Sequence, residues 1–341
     1  MKRPSIKQLM ELTELSRATL DRALNQRPGV HPRTQKIVEQ ALDRLAAPPL
    51  GSDQHPALRF RLFVQTGEAF VEWLSQRIDH LASEMAHARV QLDLVNCFRD
   101  SDEQLAARIL QSENSVDGIA IVGRNTAVTT AASRHCMDNG KAVISLVSDL
   151  EPEARHAFVG INNRAAGQSA GFLIGRHLQP LQSPNVAVIV ATAAYIGHED
   201  REIGFRSLCR NSFPNINILE VINGQDTDEA NYEGVRNFIR KHGRLDGIYN
   251  VGGGNDGMAQ ALVEQGLAGR TVCIAHELDS VTERRLRSGA IDYVLSQDLD
   301  NLLRTAASAL KSVCDGNLIA DQTLLPIDTY SRYSLRREHT G

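Results

Sequence analysis

The sequence predicts a multidomain chain: a small all-α domain over residues 1–46, a linker over 47–57 and a two-lobed α/β core over 58–341. Three observations carry this. Residues 5–45 hold three short stretches with apolar residues at helical spacing and no strand-like run. The stretch Ala46 to Ala57, AAPPLGSDQHPA, is too rich in Pro, Gly and small polar residues to continue a helix. Beyond it, short Val/Ile/Leu-rich runs alternate with helical patterns, which marks parallel sheets flanked by helices.

Taken in order, Ile6, Leu9 and Met10 line one face of a helix over residues 5–12. After Thr13-Glu14-Leu15, Ser16 is placed to cap a second helix, Arg17 to Leu24, whose inner face is Leu20, Ala23 and Leu24. Pro28-Gly29 turns the chain, and Pro32 opens a third helix carrying Ile37, Val38, Ala41, Leu42 and Leu45. In the core, RFRLFVQ, VQLDLVN, DGIAIVG and KAVISLV are the strands of a first lobe. The rhythm restarts after residue 162 with NVAVIVA, NILEVIN, LDGIYNV, TVCIAHE and DYVLSQ. The expected lobes are residues 58–161 with 297–341, and residues 162–296. Open α/β sheets take ligands outside the carboxyl ends of their strands. The polar residues there, Gln65, Glu68, Arg99, Arg124, Asp149, Asn250, Glu277 and Gln297, are therefore candidates.

Composition narrows the classes. Hydrophobic residues at 42% and charged residues at 23% are those of a globular chain. No run approaches the roughly 20 apolar residues of a membrane helix, and Met1 to Leu12 is polar and amphipathic, so no membrane partner and a cytoplasmic location are expected. The five cysteines lie far apart with no CxxC pair, which reads as reduced core thiols without a metal or redox role. The net charge of −4 is uneven: residues 1–50 carry nine Lys/Arg against five Asp/Glu, so only that segment suits a polyanion.

The segment from Ser5 to Leu45 resembles, without a gap, the DNA-binding headpiece of the lactose-repressor (LacI) family of regulators, most specifically at Ser16, Ala18-Thr19, Arg22, Ala23-Leu24-Asn25, Val30 and Thr34. A helix-turn-helix puts the start of its second helix in the major groove. Arg17 and Ala18 would then face bases, and Arg22 a base or phosphate. Ser5, Ser16, Thr19, Asn25 and Thr34 would hold the backbone or, more blandly, cap helices. The rest resembles the periplasmic-binding-protein-like (type I) core that this family attaches to its headpiece. That likeness implies effector contacts from Arg201, marked by the Gly204 and Phe205 that follow it, from Asn255 and Asp256, from Glu277 where the family usually has Asp, and from Phe70, Asp149 and Gln297. Guanidinium, carboxylate and amide groups beside an aromatic face suit a sugar or polyol.

The resemblance implies a DNA-binding regulator, commonly a repressor, acting as a homodimer or tetramer on a double-stranded operator whose occupancy a small polar effector controls. Three positions depart from it: Ala46-Ala47-Pro48-Pro49-Leu50 replaces the hinge-helix sequence, Glu14 stands where Gly is preferred, and Asp21 replaces a Ser. Leu50 or Leu58 could stand in for the leucine that such a hinge inserts between bases. One rival reading is a sugar-binding protein of a transport or sensing system without DNA binding. The other is an enzyme with Gly252-Gly253-Gly254 as a phosphate loop, but the run lacks the GxxxxGK[ST] and GxGxxG spacings. Consecutive His198, Glu199 and Asp200 rarely converge on one metal, no catalytic constellation stands out, and no cofactor is expected.

Overall fold

The computed structural model describes residues 16–24, 38, 56–191 and 194–335. The chain divides into two units, Met1–Pro56 and Ala57–Gly341. In the first, helix α1 (Arg17–Leu24) starts where the Ser16 hydroxyl accepts the Thr19 amide at 3.2 Å, the capping geometry its sequence implies. Leu20, Ala23 and Val38 are buried. The helices expected over residues 5–12 and beyond Pro32, and the linker 47–55, lie outside the described residues apart from Val38.

The second unit contains two six-stranded sheets. The first is built from β1 (Leu58–Val64), β2 (Val90–Asn96), β3 (Gly118–Val122), β4 (Ala142–Leu146) and β5 (Ala157–Ile161), joined by α2 (Glu68–His87), α3 (Asp102–Ser112) and α4 (Ala127–Asp138). Its strand order runs β2-β1-β3-β4-β5, all parallel, with Phe60 opposite both Leu92 and Gly118. α5 (Asn163–Leu178) then carries the chain to the second lobe: β6 (Asn185–Val190), α6 (Ile196–Ser212), β7 (Asn217–Asn223), α7 (Asp228–His242), β8 (Gly247–Asn250), α8 (Asn255–Glu264), β9 (Val272–His276), α9 (Ser280–Ser288) and β10 (Tyr293–Gln297). The order repeats as β7-β6-β8-β9-β10. β3 and β4 are buried at every position because helices cover both faces, which is why they read as unbroken apolar runs.

α10 (Leu299–Cys314) returns to the first lobe and packs Leu302, Leu303, Ala306 and Leu310 against Leu62, Leu74 and Leu81. β11 (Gln322–Leu325) extends that sheet beside β5, and β12 (Ile327–Tyr330) pairs antiparallel with β10 in the other. The chain therefore passes between lobes three times, at Asn162, Asp298 and Pro326. This corrects the assignment of residues 297–341 to the first lobe: the segment divides, because Val294 pairs with Tyr330 while Phe158 pairs with Gln322. β5, β11 and β12 were not among the strands expected: β11 and β12 are four-residue edge strands of partly exposed residues, and β5 follows β4 with no α-helical segment between them. Cys97, Cys136, Cys209 and Cys273 are buried and reduced, whereas Cys314, expected in a core, is exposed.

Helix contacts set the geometry of the second lobe. Gly167, Gly171 and Gly175 make a bare stripe on α5 against which α6 lies; a Cβ on Gly167 would stand 1.9 Å from the Arg201 carbonyl oxygen. On α6, a Cβ on Gly204 would meet the Arg164 carbonyl at 2.1 Å. This close crossing fixes the height of Arg201 at the carboxyl end of the sheet.

Candidate functional site

Both sheets point the carboxyl ends of their strands at one cleft, a cavity of about 450 Å³. From the first lobe it receives Thr66, Gly67, Glu68 and Phe70 after β1, Phe98 and Arg99 after β2, and Val147 after β4. The second lobe supplies His198 and Arg201 from α6, Asp226 to Glu229 after β7, Gly252 to Asp256 after β8, and His276, Glu277 and Asp279 around the end of β9.

Arg201 is the most constrained of these. Buried, it donates from Nε to Asn163 Oδ1 at 2.8 Å and from Nη1 to the Val251 carbonyl at 2.7 Å, leaving Nη2 at 3.8 Å from Glu277 Oε1. Gln297 donates to Glu277 Oε1 at 2.9 Å and lies behind it. Burial raises the Glu277 carboxyl above the ordinary value, opposed by Arg201 and the Gln297 hydrogen bond. Burial lowers the His198 imidazole to about 4 against the pull of Asp226, and lowers His276 well below the ordinary value. Asn250 supports Asn255 by donating to its Oδ1 at 2.8 Å.

Backbone strain gathers at the same place. Among the described residues, five non-glycine positions have positive φ, and four of them, Val147, Gln225, Asp226 and Glu277, lie in cleft loops. Such conformations cost on the order of 1–3 kcal/mol each and persist where surrounding contacts over-determine them. Asp226 is held this way: it accepts the Gly253 amide at 2.8 Å and faces the Thr66 hydroxyl at 3.5 Å across the cleft. Further links close the lobes on each other. Tyr195 donates its hydroxyl to the Gln65 carbonyl, the Asn125 amide reaches the Ala194 carbonyl at 2.8 Å, and the Gly197 amide reaches Ser148 Oγ at 3.1 Å.

Of the residues expected at the effector site, Phe70, Arg201, Asn255, Asp256 and Glu277 line the cavity. Asp256 does so with its carboxylate engaged by Arg285, at 2.8 and 3.1 Å. Gln297 reaches the cleft only through Glu277. Asp149 is a correction: its carboxylate binds the buried Arg155 guanidinium at 2.5 and 2.8 Å and the Ser145 hydroxyl at 2.6 Å, an internal ion pair away from the cavity. Glu68 and Arg99 line the cavity, while Gln65 and Arg124 line an adjoining pocket of about 340 Å³ with Tyr195. Sequence reasoning missed Asp226, His276 and Phe98 as cleft residues, although each lies at or within three residues of a strand's carboxyl end, the signal that was there to use.

The glycine run is structural. Gly254 takes φ +71° at the start of α8, and Asn231 pins the Gly253 and Gly254 carbonyls at 2.9 and 2.7 Å. Among the described residues no three His, Cys, Asp or Glu side chains gather to hold a metal ion, and Asp200 instead pairs with Arg164 at 3.0 Å. Among those residues, no helix is long and apolar enough to cross a membrane.

Residues 65–318 match the model of the periplasmic binding protein domain. The chain belongs to this family, one of binding proteins, and it is not an enzyme. No curated protein sequence matches. Among solved structures, a glucose-galactose binding protein, GanP, from Geobacillus stearothermophilus is 19% identical with a TM-score of 0.74, covering 82% of this chain and 99% of its own. A transporter solute-binding protein from Burkholderia graminis in complex with D-arabinose is 18% identical with a TM-score of 0.74, covering 82% and 96%. One from Actinobacillus succinogenes with bound D-allose is 16% identical with a TM-score of 0.72, covering 82% and 98%.

These findings correct the main reading of the sequence. A DNA-binding regulator with an operator partner is overturned by a family match and by structural neighbours that are solute-binding proteins of sugar transporters. The expected cytoplasmic location is corrected on the same ground, since the matching domain is that of periplasmic binding proteins. Of the residues expected on DNA, Ser5, Asn25 and Thr34 lie outside the described residues, and Arg17 and Ala18 open α1. Ser16 and Thr19 bond each other at 2.9 Å as part of the helix cap, and Arg22 is exposed.

Proposed function

We propose that the protein is a sugar-binding protein of a transport or sensing system, taking a sugar or polyol into the cleft between its two lobes. The observation that carries this is the cavity itself. A buried guanidinium, Arg201, faces a partly buried carboxyl, Glu277, with Asn255 beside them and the rings of Phe70 and Phe98 on the opposite lobe. A planar donor fork and a carboxylate bridge neighbouring hydroxyls, an amide both donates and accepts, and aromatic faces cover apolar C–H groups. The sugars named for the structural neighbours support the same ligand class.

The test is isothermal titration calorimetry of the full chain with D-glucose, D-galactose, D-arabinose, D-allose and a set of polyols. Saturable binding by one of them, lost in Arg201→Ala, is the expected result; heats at the level of dilution throughout would sink the reading. Within the family, we infer kinship with the cores of LacI-type proteins. What supports it is the likeness of Arg201 followed by Gly204 and Phe205, of Asn255-Asp256 opening a helix, and of the acid at Glu277; it assigns no DNA partner.

A further inference from the structure

Two buried side chains under the cleft have a hydrogen-bond count that does not close. Tyr249 is fully buried on β8, and its hydroxyl has one partner among the described residues, His276 Nε2 at 2.7 Å. His276 is 1% exposed, ends β9 and lines the cavity, and its other ring nitrogen, Nδ1, is buried with no partner among the described residues. A neutral imidazole has one N–H and one lone pair, so the partner of one nitrogen decides which the other carries. Among the described residues the phenol proton has no other acceptor. If Nε2 carried the imidazole proton, it would point at the hydroxyl oxygen and strand the phenol O–H unpaired in the core, which is unfavourable for a buried donor.

We infer that Tyr249 donates to His276 Nε2 and so locks the imidazole with its proton on Nδ1, presenting a fixed N–H donor that selects a ligand with an acceptor oxygen at the second-lobe wall of the cavity. This rests on the reading of the cleft as a sugar site and adds a specificity-determining pair to it. The other groups that face His276 keep it neutral: the Arg201 cation and His198 both disfavour a second proton, as does burial. Tyr249 likewise stays a donor, because burial disfavours its phenolate. A ring or hydroxyl oxygen of a sugar satisfies Nδ1–H, whereas a deoxy position there leaves it unpaired.

The experiment has two arms on the full-length protein. Long-range proton–nitrogen spectra of the 15N-histidine-labelled, ligand-free protein read the tautomer, with His276→Asn identifying the signal. The expected pattern is protonated Nδ1 and bare Nε2, shifting toward the other tautomer in the isosteric Tyr249→Phe; a wild-type signal with the proton on Nε2 overturns the inference. Calorimetry with D-glucose, D-galactose, D-arabinose and D-allose is the second arm. His276→Asn, whose amide N–H falls near the place of Nδ1, should bind within a few-fold of wild type, and His276→Leu about tenfold more weakly. Equal affinity for His276→Leu and wild type also overturns it. Wild-type protein that binds none of the four sugars speaks against the sugar site, while the spectra still decide where the proton sits.

Discussion

Arg201 shows how much one side chain is asked to do. Three of its nitrogens face Asn163, the Val251 carbonyl and Glu277, a fork that a lysine ammonium cannot reproduce. Arg201→Lys should keep the charge yet weaken sugar binding at least tenfold, and Arg201→Ala should in addition lower stability, by about 1–3 kcal/mol, by leaving the Asn163 and Val251 acceptors unpaired and the partly buried Glu277 without its cation. Calorimetry and urea unfolding separate the two effects. The histidines set a pH dependence. His198 titrates near 4 in the folded protein and near 6.5 when unfolded, so between those values the unfolded chain holds the extra proton. Stability is therefore full above pH 6.5 and falls as pH drops toward 4, with His276 acting in the same direction. Glu277, whose carboxyl is raised by burial, acts oppositely, its penalty being relieved as it protonates. A melting temperature that declines over this range, and less steeply in His198→Gln, is the expected outcome; an unchanged slope in the variant would remove His198 from the account. At this scale Arg201, inside α6, and Asn255, at the start of α8, were legible through the family likeness, and Glu277 because it directly follows a strand. Asp149 misled for the same reason: it too follows a strand, and only packing shows that Arg155 claims it.

Helices α5 and α6 illustrate what the elements contribute. The Gly167, Gly171, Gly175 stripe recurs every fourth residue and lets the two backbones meet. Gly167→Ala should cost about 1–3 kcal/mol by overpacking and, since the clash falls on the Arg201 backbone, should weaken sugar binding as well. Gly140→Ala is the control: its φ of +75° carries some strain but its Cβ meets nothing within 4 Å, so binding should be untouched. Chemical unfolding with parallel calorimetry tests the pair. The doubly covered apolar strands and the capped helices were legible because each signal is local. α3, with its Ser101–Gln104 capping box, is such a case. β11 and β12 were not: four-residue edge strands of half-exposed residues have no pattern apart from the sheets that recruit them.

Across the whole core, three crossings and a set of links between lobes define how a ligand is enclosed. The Tyr195 hydroxyl on Gln65 and the Asp226 carboxylate opposite Thr66 tie the two lobes together. Tyr195→Phe should lower the closed population and weaken sugar affinity several-fold without touching the Arg201 site, since a ligand that binds one state pays for any shift away from it. Trp73, the only tryptophan, packs edge-on against the cavity residue Phe70 at 6.1 Å. Its fluorescence should change as sugar fills the cleft, giving a titration that Trp73→Phe abolishes while calorimetric binding remains.

The sequence by itself determined the α/β repeat, its restart after residue 162 and the chemistry available at the strand ends, because apolar periodicity and local capping are properties of neighbouring residues. Tertiary structure decided which of those polar groups share a cavity, which are spent on internal ion pairs, that residues 297–341 are divided between the two sheets, and that Tyr249 stands under His276. Those outcomes depend on contacts between residues tens to hundreds of positions apart, whose energies come from burial and pairing that no local pattern encodes.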